Sequence, residues 1–290
     1  MKKKINLSIV CATHNRPVKL SKMVESFNKG KILPKELIIC GTAYKDFNYL
    51  KGKKIDFDLK YLISKKKNQI IQRRKAIQFA RNDFILQIDD DVIVEKNFIL
   101  NLEKYTRSKK KTIISALILT NQGFPQALSW NIIYQKYFIF KIIIRILNGF
   151  KTPDQYSILA SGRCIPYIVS KFKGKITNLQ WLCSTVMYHR DALRHVKYDN
   201  YLDKTPKSYY EDVFFSHQLY QKNYQLIIDC NVKGTHSDQT YTSVNTYFKT
   251  ISTQFKLVKL FKKNFLLFFL DVILFSFIHL IRDVYIKYFK

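Results

Sequence analysis

The chain is poor in the residues that build stapled or glycine-looped scaffolds. Its 290 residues include five cysteines (Cys11, Cys40, Cys164, Cys183 and Cys230), eight glycines and six prolines. The cysteines are odd in number and form no C-x-x-C pair, which argues against a zinc site or a disulfide framework and suits a reducing cytoplasm. Only Gly30 precedes position 41, so no glycine-rich phosphate loop follows the first strand-like run. Pro/Gly/Ser-rich linkers and internal repeats are lacking too, which leaves one large domain or one domain with an appendage. Acidic residues are scarce: 21 Asp plus Glu stand against 50 Lys plus Arg, a net charge of +29. That surplus favours anionic partners, whether nucleotide phosphates, anionic lipid or nucleic acid, and a basic surface serving only solubility also accounts for it. Apolar residues are plentiful, with 47% hydrophobic and 15% aromatic, so a sizeable core can be buried and wholesale disorder is excluded.

Residues 1–11 imitate a signal peptide, but the apolar stretch is short, is broken by Asn6 and Ser8, and runs into His14, Asn15 and Arg16. A buried first strand explains it better. Short, apolar, β-branched runs recur at 5–11, 36–40, 59–63 and 84–88, with amphipathic helical spacing at 19–28 and 68–81. Continuously apolar strands alternating with helices predict an α/β fold, a mostly parallel sheet covered on both faces. Such sheets bind ligands at the carboxyl ends of their strands, which directs attention to residues 13–16, 41–42 and 89–91. Further strand signals stand at 113–119, 185–188 and 225–229.

Gln87-Ile88-Asp89-Asp90-Asp91-Val92 is the most informative segment. Three adjacent carboxylates repel one another, a penalty that calls for a cation. Hard oxygen ligands of this kind suit Mg²⁺ or Mn²⁺, which usually bind one or two carboxylates plus substrate phosphates. Aspartates capping a helix over 95–105 are the competing reading, and the position at the end of the fourth strand favours the cation. A second acidic pair, Glu211-Asp212, precedes a helical run from Val213. Alone, the pair is equally well explained by first-turn acids that favour the helix dipole.

Taken together, these segments resemble family 2 glycosyltransferases, nucleotide-sugar-dependent enzymes of the GT-A fold. Residues 7–17, ending Thr13-His14-Asn15-Arg16-Pro17, resemble the family's opening strand and turn, and Gln72-Arg73-Arg74 the stretch before its metal motif. Asp89-Asp90-Asp91 is similar to the Asp-x-Asp motif, residues 181–190 to the acceptor-side loop and strand, Glu211-Asp212 to the Glu-Asp pair, and Val232-Lys233-Gly234-Thr235-His236 to the closing strand. The likeness covers roughly residues 5–240.

The resemblance implies roles for particular residues. Thr13, Asn15 and Arg16 would embrace base and ribose, Arg73 would hold the nucleotide, and Asp89 would contact ribose or metal. Asp91 would ligate the metal, with His236 completing its shell. Asp212 would be the general base, with Glu211 orienting the acceptor, and Trp181 and Ser184 would face that acceptor. Two departures stand out: Gly41-Thr42-Ala43, with Thr42 at the nucleotide, replaces the family's acidic base-reading position, and Ser184 and Val186 replace its glycine and asparagine. They leave base and acceptor open.

The implied activity is inverting transfer of a sugar from a nucleotide-diphosphate donor to a hydroxyl of a glycan or lipid-linked acceptor, with Mn²⁺ or Mg²⁺, in cell-surface polysaccharide or lipopolysaccharide synthesis. Metal-dependent nucleotidyl transfer is a rival, disfavoured by the missing glycine-rich loop. Nucleic-acid binding is another, and no aromatic-interleaved basic patch or known module supports it. The catalytic domain is expected over 1–250, with a basic, apolar helical region at 251–290. Within the latter, 265–281 is 17 residues of almost continuous apolar character interrupted by Asp271, Ser276 and His279, short of the ~20 that span a bilayer. Lysines at 256, 259, 262 and 263 precede it. An interfacial helix on an anionic membrane therefore fits better than a span, placing the protein peripherally on the cytoplasmic face of the cell membrane. A buried helix or a homo-oligomer interface is the alternative.

Overall fold

The structure is a computed structural model that describes residues 2–107, 111–120, 138–153, 156–165, 173–183, 185–197, 209–236 and 244–289. The chain forms two compact units, one of residues 1–126 and 171–238, the other of 127–170 and 239–290. The second unit thus takes in residues that the sequence assigned to the first domain. The cause is local: residues 138–147 form a helix that packs with those following residue 243.

In chain order the elements are β1 (Lys4–Ala12), α1 (Pro17–Asn28), β2 (Leu33–Gly41), β3 (Asp58–Ile63), α2 (Gln69–Phe79), β4 (Phe84–Asp89), β5 (Val92–Val94), α3 (Phe98–Glu103) and β6 (Thr112–Thr120). Then come α4 (Phe138–Leu147), β7 (Ser157–Ile158), β8 (Cys164–Ile165), β9 (Lys175–Ile176), β10 (Val186–His189), α5 (Glu211–Tyr220), β11 (Gln225–His236), α6 (Val244–Leu260) and α7 (Phe265–Phe289).

The first unit is built on a mixed sheet in the order β3-β2-β1-β4-β10-β6-β11-β5, with β9 beside β11. β3, β2, β1 and β4 run parallel, as do β6 and β11. β10 runs antiparallel between β4 and β6. β1, β2 and β4 are buried on both faces because helices cover them, whereas β3 at the sheet edge stays partly exposed. On α1, Leu20, Met23, Val24 and Phe27 recur at three- and four-residue spacing and are wholly buried, while Pro17 starts the helix where no N–H is needed. α2 begins where the Asn68 side chain accepts from Ile71 N at 2.9 Å, a side-chain cap.

Register brings the strand ends together. Ala12 lies opposite Cys40 of β2 and Asp89 of β4, so the turns after β1, β2 and β4 emerge side by side. Across the sheet, His236 pairs with Val92 and is carried next to Asp91.

The second unit holds α4, the β7–β8 hairpin, α6 and α7 around Leu147, Leu159, Ile165, Tyr247 and Phe275. Helix α7 runs 25 residues, longer than the 17-residue stretch visible in sequence. The polar interruptions are accommodated: Asp271 is wholly buried against Arg163, and Arg282 pairs with Asp283. Its 20-residue window Phe265–Val284 has a mean hydropathy of 2.1 and is, among the described residues, the one helix long and apolar enough to cross a membrane.

Candidate active site

The three aspartates following β4 all take partners supplied by the chain itself, and Asp90 and Asp91 share one of them. Asp89 accepts from the Arg73 guanidinium, whose other terminal nitrogen donates to Glu211. Asp90 accepts from Thr13 Oγ1 at 2.6 Å and from Arg16 at 3.2 Å. Asp91 accepts from Arg16 at 2.9 Å, and His236 Nε2 stands 3.1 Å from its other oxygen. The cation that their mutual repulsion demands is therefore met in part by two arginines. Among the described residues, no group of three or more His, Cys, Asp or Glu is arranged to hold a metal ion.

Arg73 is the hub. It is 2% exposed and ties the end of β4 to the first turn of α5. The sequence placed it on the nucleotide, whereas its terminal nitrogens are engaged by two carboxylates. Burial favours the neutral form of an arginine, but Glu211 and Asp89 outweigh it and raise its pKa. Burial pushes the Glu211 carboxyl up to about 7 against the pull of Arg73. Asp212, half-buried beside it, is likewise pushed up to about 6 by burial, with the neighbouring Asp89 charge adding to the shift. Burial, then the charges of Asp212 and Asp89, also raise the Cys183 thiol, so both carboxylates act on one locus. Helix α5 is entered through Tyr210 at φ +62, a conformation that bulky residues adopt only under constraint.

Asp91 titrates the other way. Burial raises its pKa, but the hydrogen bond and charge of His236, with the charge of Arg16, more than offset that and hold it below the ordinary carboxylate range. Burial lifts Asp90 to about 6. Thr13, which the resemblance assigns to the nucleotide, is buried and donates its hydroxyl to Asp90. Arg16, half-exposed, stands over the acids.

The turns after β1 and β2 are held by a residue that sequence reading missed. Asp46 is 1% exposed and accepts from Asn15 N (2.7 Å), Thr42 N (2.9 Å) and Ala43 N (3.1 Å). It fixes Asn15 at φ +53, a left-handed conformation that asparagine tolerates. Gly41 makes room for it, since a Cβ there would lie 2.9 Å from Asp46 Oδ2. The signal was legible: an acid three residues after Ala43 can reach back to its N–H, as in a capping box. Gln72 completes the clamp, donating to Thr13 O at 2.7 Å and Cys40 O at 2.8 Å. His14 Nδ1 lies 2.6 Å from Thr42 Oγ1.

Trp181, one of the two residues the resemblance assigns to the acceptor, is 6% exposed within the core and so presents no open ring face for a sugar to stack on. Ser184 lies outside the described residues. Elsewhere, a groove of about 570 Å³ lies at the opposite, amino ends of β1 and β4. Lys3 and Arg81, which line it, are paired with Glu103 and Asp58, and none of the acidic-turn residues lines it.

In fold the first unit is of the GT-A class, and solved structures share it. The S. aureus TarS 1-349 crystal structure matches with a TM-score of 0.51 at 14% identity over 89% of this chain and 65% of that one. Its complex with UDP-GlcNAc gives 0.55 at 14% identity over 89% and 66%. GalNAc-T7 with UDP, GalNAc and Mn2+ gives 0.59 at 13% identity over 85% and 47%. The chain thus spans about two thirds or less of the length of these structures. No curated protein sequence matches it. By sequence the chain belongs to Glycosyl transferase family 2, whose description it matches over residues 8–168, more than half of its length.

Proposed function

We propose that the protein is an inverting glycosyltransferase that moves a sugar from a nucleotide-diphosphate donor to a hydroxyl of a glycan or lipid-linked acceptor in surface polysaccharide assembly. The observation that carries this reading is the Asp89–Arg73–Glu211 bridge, which sets the acidic turn after β4 and the first turn of α5 at one locus. Family membership, the UDP-GlcNAc of the TarS structure and the UDP of the GalNAc-T7 structure support a nucleotide sugar as donor.

Asp212 is the base in this reading. Its pKa of about 6 leaves it ionised at neutral pH yet basic enough to accept a hydroxyl proton as the new bond forms, a contribution of typically ~10²–10⁴ in rate. Glu211, held by Arg73, positions the helix turn that carries it. Arg16 supplies positive charge to the departing diphosphate. Asp91 and His236 fit a divalent ion: the buried Asp91 oxygen 3.1 Å from His236 Nε2 has no further partner among the described residues, and such ions complete their shell with substrate phosphates. Bound there, the ion would supply Lewis-acid stabilisation of the leaving diphosphate. Asp89, occupied by Arg73, is better suited to orienting that arginine than to binding metal.

A thermal-shift screen of nucleoside diphosphates and nucleotide sugars, with and without Mn²⁺, tests the reading. A stabilisation that requires both nucleotide and Mn²⁺ is expected. Stabilisation by neither, with intact folding, overturns it.

A further inference from the structure

Helix α7 is amphipathic in reverse. Phe268, Asp271, Phe275 and His279 recur every three or four residues and are buried within the second unit. The face turned away carries Leu266, Phe269, Ile273, Phe277, Leu280 and Val284, all exposed, with Leu266 at 81%, Ile273 at 67% and Phe277 at 65%. At 1.5 Å per residue this stripe is about 27 Å long. No polar side chain lies on it. Asp271, His279 and the half-buried Arg282 lie on the inward side, and Ser276 and Asp283 sit half-buried at its flank. Rotation of the helix is fixed by Asp271, which accepts from Ser161 Oγ at 2.8 Å and from Arg163 Nε at 2.9 Å, and the same guanidinium lies 3.3 Å from the centre of the Phe275 ring. His279 stacks on Tyr247 at 4.4 Å.

An outward apolar stripe of this length is not tolerated in water without an occupant. Its surroundings specify one. On α4, exposed Phe138, Ile139 and Ile142 alternate with exposed Lys141 and Arg145. At the corner between α6 and α7, exposed Phe255 and Leu260 adjoin exposed Lys259 and Lys262. The sequence of this unit carries thirteen lysines and arginines against three aspartates. A second copy would bring the same excess positive charge against it and be repelled. A span would draw the cations of α4 and α6, which pack against α7, into hydrocarbon.

We propose that the outer face of α7, with the exposed ends of α4 and α6, docks in the plane of an anionic lipid bilayer, apolar side chains below the headgroups and lysines among them. This attachment is independent of glycosyl transfer. The test uses the purified full chain in flotation with vesicles of phosphatidylcholine alone or with roughly one part in four phosphatidylglycerol. The chain is expected to float with the anionic vesicles and to detach as salt rises. Phe269→Ser, Ile273→Ser and Phe277→Ser together reduce binding by about tenfold or more, with an unchanged melting midpoint because the substituted groups are exposed. Lys141→Glu with Lys259→Glu and Lys262→Glu removes the preference for anionic lipid. Undiminished flotation of the serine variant, equal binding to neutral vesicles, or a dimer dissolved by the serine variant without vesicle binding would each overturn the proposal. So would retention of the chain in cell membranes after alkaline carbonate, which marks a span.

Discussion

Arg73→Met isolates the bridge on which the site is built. The substitution keeps most of the side-chain length and removes the guanidinium between Asp89 and Glu211. Glu211 is 3% exposed, so its charge loses its partner with no water to replace it. Breaking one side of a buried ion pair costs about 3–5 kcal/mol. The cost has a pH signature. Burial already holds the Glu211 carboxyl at about 7, above its ordinary value, so the folded chain keeps a proton that the unfolded chain gives up. Stability therefore falls as pH climbs from the unfolded value through about 7, and it falls further in the variant, where nothing opposes burial and Glu211 rises higher still. At about pH 8 the variant should lose about 3–5 kcal/mol. At about pH 5.5 Glu211 is protonated in both proteins. What remains is the Asp89 contact, whose carboxylate is 23% exposed and partly screened, so the deficit shrinks to about 1 kcal/mol. Urea denaturation followed through the fluorescence of Trp181, buried in the same unit, measures both. An equal loss at the two pH values would make the effect one of packing and refute the charge bridge.

Asp212→Asn should leave donor binding intact and lower kcat by about 10²–10⁴. In the unsubstituted protein kcat/KM should fall as pH drops through about 6, where Asp212 takes up its proton, a limb that a pH–rate profile would show. Asp91→Ala should abolish Mn²⁺-dependent nucleotide binding in isothermal titration; unchanged affinity would remove Asp91 from the proposed ion site. Asp46→Ala strands three backbone N–H groups and should cost about 3 kcal/mol, raising KM for the donor more than it lowers kcat. A shift in kcat alone would show that the turn does not serve the donor.

What the sequence determined by itself was the framework. Apolar β-branched runs bounded by polar turns make buried parallel strands wherever they fall, because their backbone and side chains have no other favourable partner. β1, β2, β3 and β4 accordingly lie within a few residues of their expected bounds, and the acidic, arginine-bearing and asparagine-bearing turns stand at their carboxyl ends. The pairings among those turns were not legible, since they depend on register between strands far apart in the chain. Arg73 and Glu211 are 138 residues apart, and only the sheet order brings β4 to the first turn of α5. The same holds for the bond from Asn15 N to Asp46, which joins two turns far apart in sequence, though the Asp46 contact with Ala43 N was legible locally, and for Trp181, an aromatic that the sequence offered to a sugar and the fold buried. On α7, composition showed an interrupted apolar run. Packing against Arg163 turned Asp271 inward, His279 with it, and left an unbroken apolar stripe outside, because a buried carboxylate is stable only beside its cation.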